Sequence, residues 1–246
     1  MRGTLVAALL LAATGCATAR TPGQSPFSVG PLLPASGPVA HDDLTRPPGS
    51  SVRYLVVAGP RSGETLLQRV VDEDGRIRVR EERPDGRADE VMHLTRRDDG
   101  TLQAHALDKH DDDTRSAFVD SLPLAPLLLE PGSTARGASR LDAFELKTAD
   151  GPEPHRKASG RCRRELRILG DADVTVRGRT ARVAVVEMAF RADLDLARVR
   201  ATDRLYVERG RGIIAEERSE RVLILGVIPR DTDMTIVLED AGGTAP

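Results

Sequence analysis

The strongest constraint in this chain is a one-by-one alternation of apolar and polar residues in short runs, broken repeatedly by turn residues. Val52-Tyr54-Val56 ends at Gly59-Pro60. Leu66-Gln68-Val70 and Ile77-Val79 flank Asp72-Glu73-Asp74-Gly75, and Val91-His93-Thr95 and Leu102-Ala104 flank Asp98-Asp99-Gly100. A period of two sends successive side chains to opposite faces of a strand, and Asp-Gly between such runs signals a tight hairpin. Strands joined so closely are antiparallel. The pattern resumes over 141–148, 157–169, 173–176, 180–193, 204–208, 213–225 and 234–239. Val183 and Val185 have the opposite parity to Val186, Met188 and Phe190, which predicts a bulge or two-sided burial near Val185. The polar stretch 108–115 reads as a loop and 116–122 as a short helix stopped by Pro123 and Pro126. The fold class expected is mainly β: a single curved antiparallel sheet or half-open barrel with one or two short helices.

The amino terminus follows different rules. Arg2 precedes the apolar run Leu5 to Ala13, followed by Thr14, Gly15 and Cys16. A run this short cannot span a bilayer core, which needs about 20 residues. Ala13-Thr14-Gly15-Cys16 resembles the lipobox of bacterial lipoproteins, with Ala13 where the family usually has Leu. The resemblance implies cleavage before Cys16 and acylation of that cysteine, so the expected membrane contact runs through acyl chains on Cys16. Ala17 and Thr18 leave no Asp after the cysteine. By similarity to the enterobacterial sorting rule, this implies the outer membrane, facing the periplasm. Residues 1–15 are then a signal peptide and 16–50, rich in Pro, a solvated tether. The antiparallel domain is expected over 51–240, with a disordered tail over 241–246.

Composition narrows the partners. The formal net charge is −2, and acids and bases are interspersed, so no basic run tracks a phosphate backbone and nucleic acid is not an expected partner. Two Tyr, four Phe and no Trp leave few π-faces for stacking on bases. With Cys16 acylated, Cys162 is the remaining cysteine. It shares a strand face with Ala158, Leu166 and Ile168, which predicts a buried, inert thiol.

Three segments carry a further resemblance. They are Leu122-Pro123-Leu124 running into Leu127-Leu128-Leu129-Glu130-Pro131-Gly132, Asp173-Val174-Thr175-Val176-Arg177-Gly178-Arg179-Thr180-Ala181-Arg182-Val183, and Asp203-Arg204-Leu205-Tyr206-Val207-Glu208-Arg209-Gly210-Arg211-Gly212-Ile213-Ile214. In that order they resemble an uncharacterised group of bacterial periplasmic proteins and lipoproteins whose fold is similar to the half-open barrel of the carriers LolA and LolB. The resemblance covers the second half of the chain. Arg177-Gly178-Arg179 replaces the group's Pro-Ala-Gly, and Glu208-Arg209 its Pro, and both departures fall on turns. The resemblance implies a concave apolar face, for which Val183, Val186, Met188, Ile213, Leu223 and Leu225 are candidates. The other reading of those six residues is a packed core.

No Gly-x-Ser-x-Gly elbow, His-Glu-x-x-His helix, Cys-x-x-Cys pair or phosphate loop is present, so no catalytic, cofactor-binding or metal-binding residue is assigned. The nearest approach to a site is His93 with His105, His110 and the acids Asp108, Asp111, Asp112 and Asp113. A three-residue loop at 98–100 would place His93 opposite His105 and allow a divalent metal. The expected function is that of a non-catalytic, membrane-anchored envelope lipoprotein that binds or escorts a hydrophobic ligand such as lipid. Two alternatives stand beside it. One is a structural or protein-interaction lipoprotein of envelope assembly with a filled core; the other is a metal-binding protein or enzyme using the His93/His105 region.

Overall fold

The computed structural model describes residues 26–146 and 154–239. The expected signal peptide over 1–15, Cys16 and the expected tail over 241–246 lie outside those residues. The elements in chain order are β1 (Phe27–Val29), β2 (Val39–Ala40), α1 (His41–Leu44), β3 (Ser51–Ala58), β4 (Thr65–Glu73), β5 (Arg76–Glu82), β6 (Ala88–Arg96), β7 (Leu102–Lys109) and β8 (Thr114–Ala125). There follow β9 (Leu128–Leu129), β10 (Ala135–Glu145), β11 (Arg156–Val176), β12 (Arg179–Leu194), β13 (Ala197–Glu208), β14 (Gly212–Ile224) and β15 (Ile228–Leu238).

The curved antiparallel sheet curls to completion. Its order is β11-β10-β8-β7-β6-β5-β4-β3-β15-β14-β13-β12, and β12 pairs back onto β11, making a closed 12-strand barrel. The predicted hairpins form where the turn residues permit them: Asp74 and Gly75 both adopt positive φ, as does Gly100. The segment 116–122 is not a helix but part of β8, with Pro123 opposite Gln103 at a register shift. A bulge frees Pro from the ladder bond it cannot make. The stretch 108–115 divides between the end of β7, a four-residue turn and the start of β8. Near Val185 both expectations are realised, because Ile168 and Gly170 of β11 shift register against Val186 and Val185. Val183 and Val185 pack with Val174, Tyr206 and Val237, while Ala184 and Val186, of opposite parity, pack with Val39 and Leu129.

Residues 26–50, expected to stand off as a tether, instead lie against the barrel from Phe27 onward. β1 pairs with the end of β11, Leu33 bridges Asp171, and β2 pairs with β9. Val39 is fully buried. Pro-rich composition disfavours autonomous folding, yet a strap needs only a few apolar anchors when the surface receiving it is already formed. Arg209 completes the fastening: it pairs with Asp171 at 3.1 Å and donates to the carbonyls of Gly37 and Pro38. Ser36 donates to the same Asp171 carboxylate.

Candidate functional site

Cross-barrel contacts identify the inner face. Arg218 on β14 reaches Glu81 on β5, with Nη1 donating at 2.9 Å and Nη2 at 2.5 Å. Three strands separate β14 from β5 in the sheet, so this pair spans the interior. Lys109 on β7 likewise donates to Glu220 on β14 at 2.7 Å. The ladder registers place Glu90 opposite Lys109, Asp203 opposite Arg218, and Arg164 opposite Phe190 on this same inward face. The barrel interior thus holds a belt of charge between apolar layers, one of them containing Leu94, Phe118, Leu141 and Cys162.

Arg218 is the hub. Besides Glu81 it holds Glu216, with Nε at 2.8 Å and Nη2 at 3.1 Å. Burial opposes its charge, but Glu216 and Glu81 outweigh burial and hold its pKa well above the ordinary value. Burial likewise opposes the charge on Glu81, which Arg218 keeps below the usual carboxylate range. Lys109 is raised by Glu90 and Glu220 against its own burial. These are the strong, doubly engaged pairs that satisfy charge in a poorly solvated place.

Asp203 and Arg164 lack such pairing. Neither has a carboxylate–guanidinium contact among the described residues, and Arg164 directs Nε to the sulfur of Met188 at 3.0 Å. Burial first, then Glu216, pushes the Asp203 carboxyl up to about 7. Burial lowers Arg164 to about 10. Raised this far, Asp203 titrates towards neutral pH rather than in acid, and the belt gains or loses charge there.

The residues singled out from sequence are dispersed. His93 does not face His105: the register passes from His93↔Ala106 to Leu94↔Ala104, leaving His105 on the bulge. His93 Nε2 lies 2.8 Å from Asp108 Oδ2, whereas His105 Nε2 lies 2.6 Å from the Thr95 hydroxyl. His110 sits in the β7–β8 turn, its backbone N–H donating to the Asp89 carbonyl. Among the described residues, no group of three or more His, Cys, Asp or Glu side chains is placed to hold a metal ion. Cys162 is buried against the Ser139 carbonyl, and burial raises its thiol to about 11.

The six candidates for a concave apolar face do not form one surface. Val183 and Val186 belong to different clusters, and Leu225 lies in an outer turn, 63% exposed. Beside Val186, Leu205 and Val207 the space is taken by Val39 and Leu129 of the chain itself. Eight strands already enclose about as much room as side chains fill, so a wider barrel needs additional filling. Here the strap and the segment around β9 supply it. Sequence reasoning placed Glu216, Arg218 and Glu220 on a strand over 213–225 without assigning them to the inner face. Their shared parity with Val222 and Ile224 was the available signal.

The chain matches no family model, no curated protein and no solved structure.

Proposed function

We propose that this chain is a membrane-anchored envelope lipoprotein, held by acyl chains on Cys16, whose barrel acts without catalysis as a filled, rigid body in envelope assembly. The observation that carries this reading is the occupancy of the inner apolar face by Val39 and Leu129. An escort for acyl chains needs an apolar hollow, whereas this interior offers its own strap residues and an ion-paired belt. The fastening of Asp171 to Arg209 and Ser36 keeps the strap in place. The proposed setting is the periplasmic face of the outer membrane, with another envelope protein as partner.

Native mass spectrometry of the full chain carrying Cys16→Ser, purified without detergent, tests the filled barrel. A bare polypeptide mass is the expected result. A stoichiometric lipid released on denaturation would overturn it in favour of hydrophobic-ligand escort. Acylation is tested separately: wild-type protein incorporates labelled palmitate, and Cys16→Ser does not.

A further inference from the structure

The outer wall carries an arrangement that neither the strap nor the inner belt explains. Arg163, Arg191, Arg200 and Arg221 stand directly opposite one another on β11, β12, β13 and β14. All four are exposed. Arg221 pairs with Asp231 at 3.1 Å; the other three make no ion pair or side-chain hydrogen bond among the described residues. The adjoining row contains Arg140, Arg161 and Arg198, with Asp193 set among them. Like charges directly opposite on neighbouring strands are destabilising, so this ladder weakens the sheet that carries it.

The same strands end in turns that expose large apolar side chains, the first of them beside Asp195, whose carboxylate accepts the Ser159 N–H at 3.0 Å. Leu196 lies between β12 and β13, and Leu225 and Val227 lie between β14 and β15, with Ile228 beginning β15. Their exposures are 48%, 63%, 74% and 52%. The two turns are neighbours, because the Leu225 N–H donates to the Leu196 carbonyl at 2.8 Å. Leu225 adopts a φ of 51°, a conformation that a bulky side chain rarely accepts. Arg198, Arg200 and Arg221 stand two to four residues back from these turns, roughly 7–13 Å along the strands.

We propose that this end of the barrel docks on an anionic phospholipid surface, with the apolar turns entering the interface and the arginine ladder meeting the lipid phosphates. Apolar side chains in the interface, with cations at the depth of the headgroups, are what such surfaces select. The four arginines form one row across neighbouring strands, about 5 Å apart. Arg200 and Arg221 also border a cleft with Ser219, Asp231 and Asp233, but a row that runs on through Arg191 and Arg163 suits a layer of phosphates better than a single shaped anion. β1 pairs beside the β11–β12 turn, at the opposite end of those strands.

The test uses the full chain carrying Cys16→Ser, co-sedimented with vesicles of phosphatidylcholine alone or mixed with phosphatidylglycerol. Binding at least about tenfold tighter to the anionic vesicles, and weakened by salt, is expected. Arg191→Glu with Arg200→Glu should abolish that preference, and Leu225→Ser with Val227→Ser should weaken anionic binding with the same thermal midpoint. Arg191→Lys with Arg200→Lys should retain it, since a lipid surface responds to charge more than to fork geometry. The apolar leader is common to all these proteins and cancels in the comparison. Equal binding to both kinds of vesicle, or full anionic binding by the Glu variants, would overturn the proposal. Binding to an acidic protein without binding to anionic vesicles would overturn it also.

Discussion

The barrel carries charge on both sides of its wall and treats it in opposite ways. Inside, Arg218 is gripped by two glutamates and Lys109 lies between Glu220 and Glu90. Outside, Arg163, Arg191 and Arg200 face each other without an acid. Poor solvation inside makes an unpaired charge costly, so Arg218 and Lys109 are matched there and the unpaired Asp203 and Arg164 have pKa values shifted towards their neutral forms; water outside tolerates mismatch. Paired inner charge is thus a structural feature, and unpaired outer charge is free to meet a partner.

The largest effect that would break this contrast is at the hub. Arg218→Ala leaves Glu81 and Glu216 buried without their cation and is expected to remove about 3–5 kcal/mol of stability. Urea unfolding measures it, and a loss under about 1 kcal/mol would show that the belt is solvated like the surface. A double-mutant cycle between Arg218→Ala and Glu81→Ala should give a coupling energy above about 1 kcal/mol.

Asp203 gives an intermediate and pH-dependent effect. Its pKa is raised from 3.8 to about 7 in the folded protein. Between those values the native state holds a proton that the unfolded chain releases, so stability falls as pH rises through that window and stays low above it. Asp203→Asn should therefore stabilise the protein by on the order of 1–2 kcal/mol at about pH 8, with the gain vanishing towards about pH 4. Thermal melts across that range check the sign, and a gain confined to acid pH would contradict the assignment.

The smallest effect belongs to the ladder. Arg200→Thr should change stability by no more than about 0.5 kcal/mol, in the stabilising direction, because it relieves repulsion from Arg191 and Arg221. A substantial loss of stability would mean that the ladder has a structural role.

Local chemistry made much of the β architecture legible. Asp74-Gly75 and Gly100 specify their hairpins through the φ values they accept, and Gly178, Gly210 and Gly212 adopt the positive φ that their turns require. Where signals conflicted, reading failed: Pro123 and Pro126 suggested the end of a helix at 116–122, but a bulge in the ladder accommodates Pro123 within β8. Of the candidate site, Cys162 was legible as an inward residue from its strand parity. The His93/His105 pairing was not, because a single bulged residue changes which side chains meet.

The sequence by itself determined the antiparallel strands, most of their turns and the alternation of their faces, since all three depend on residues a few positions apart. Tertiary structure alone decided that β12 closes onto β11, that Arg218 meets Glu81 across the interior, and that four arginines align outside. It also decided that the Pro-rich strap docks through Val39. Each depends on strand register summed around the barrel and on surfaces brought together from distant segments. No local propensity encodes that geometry.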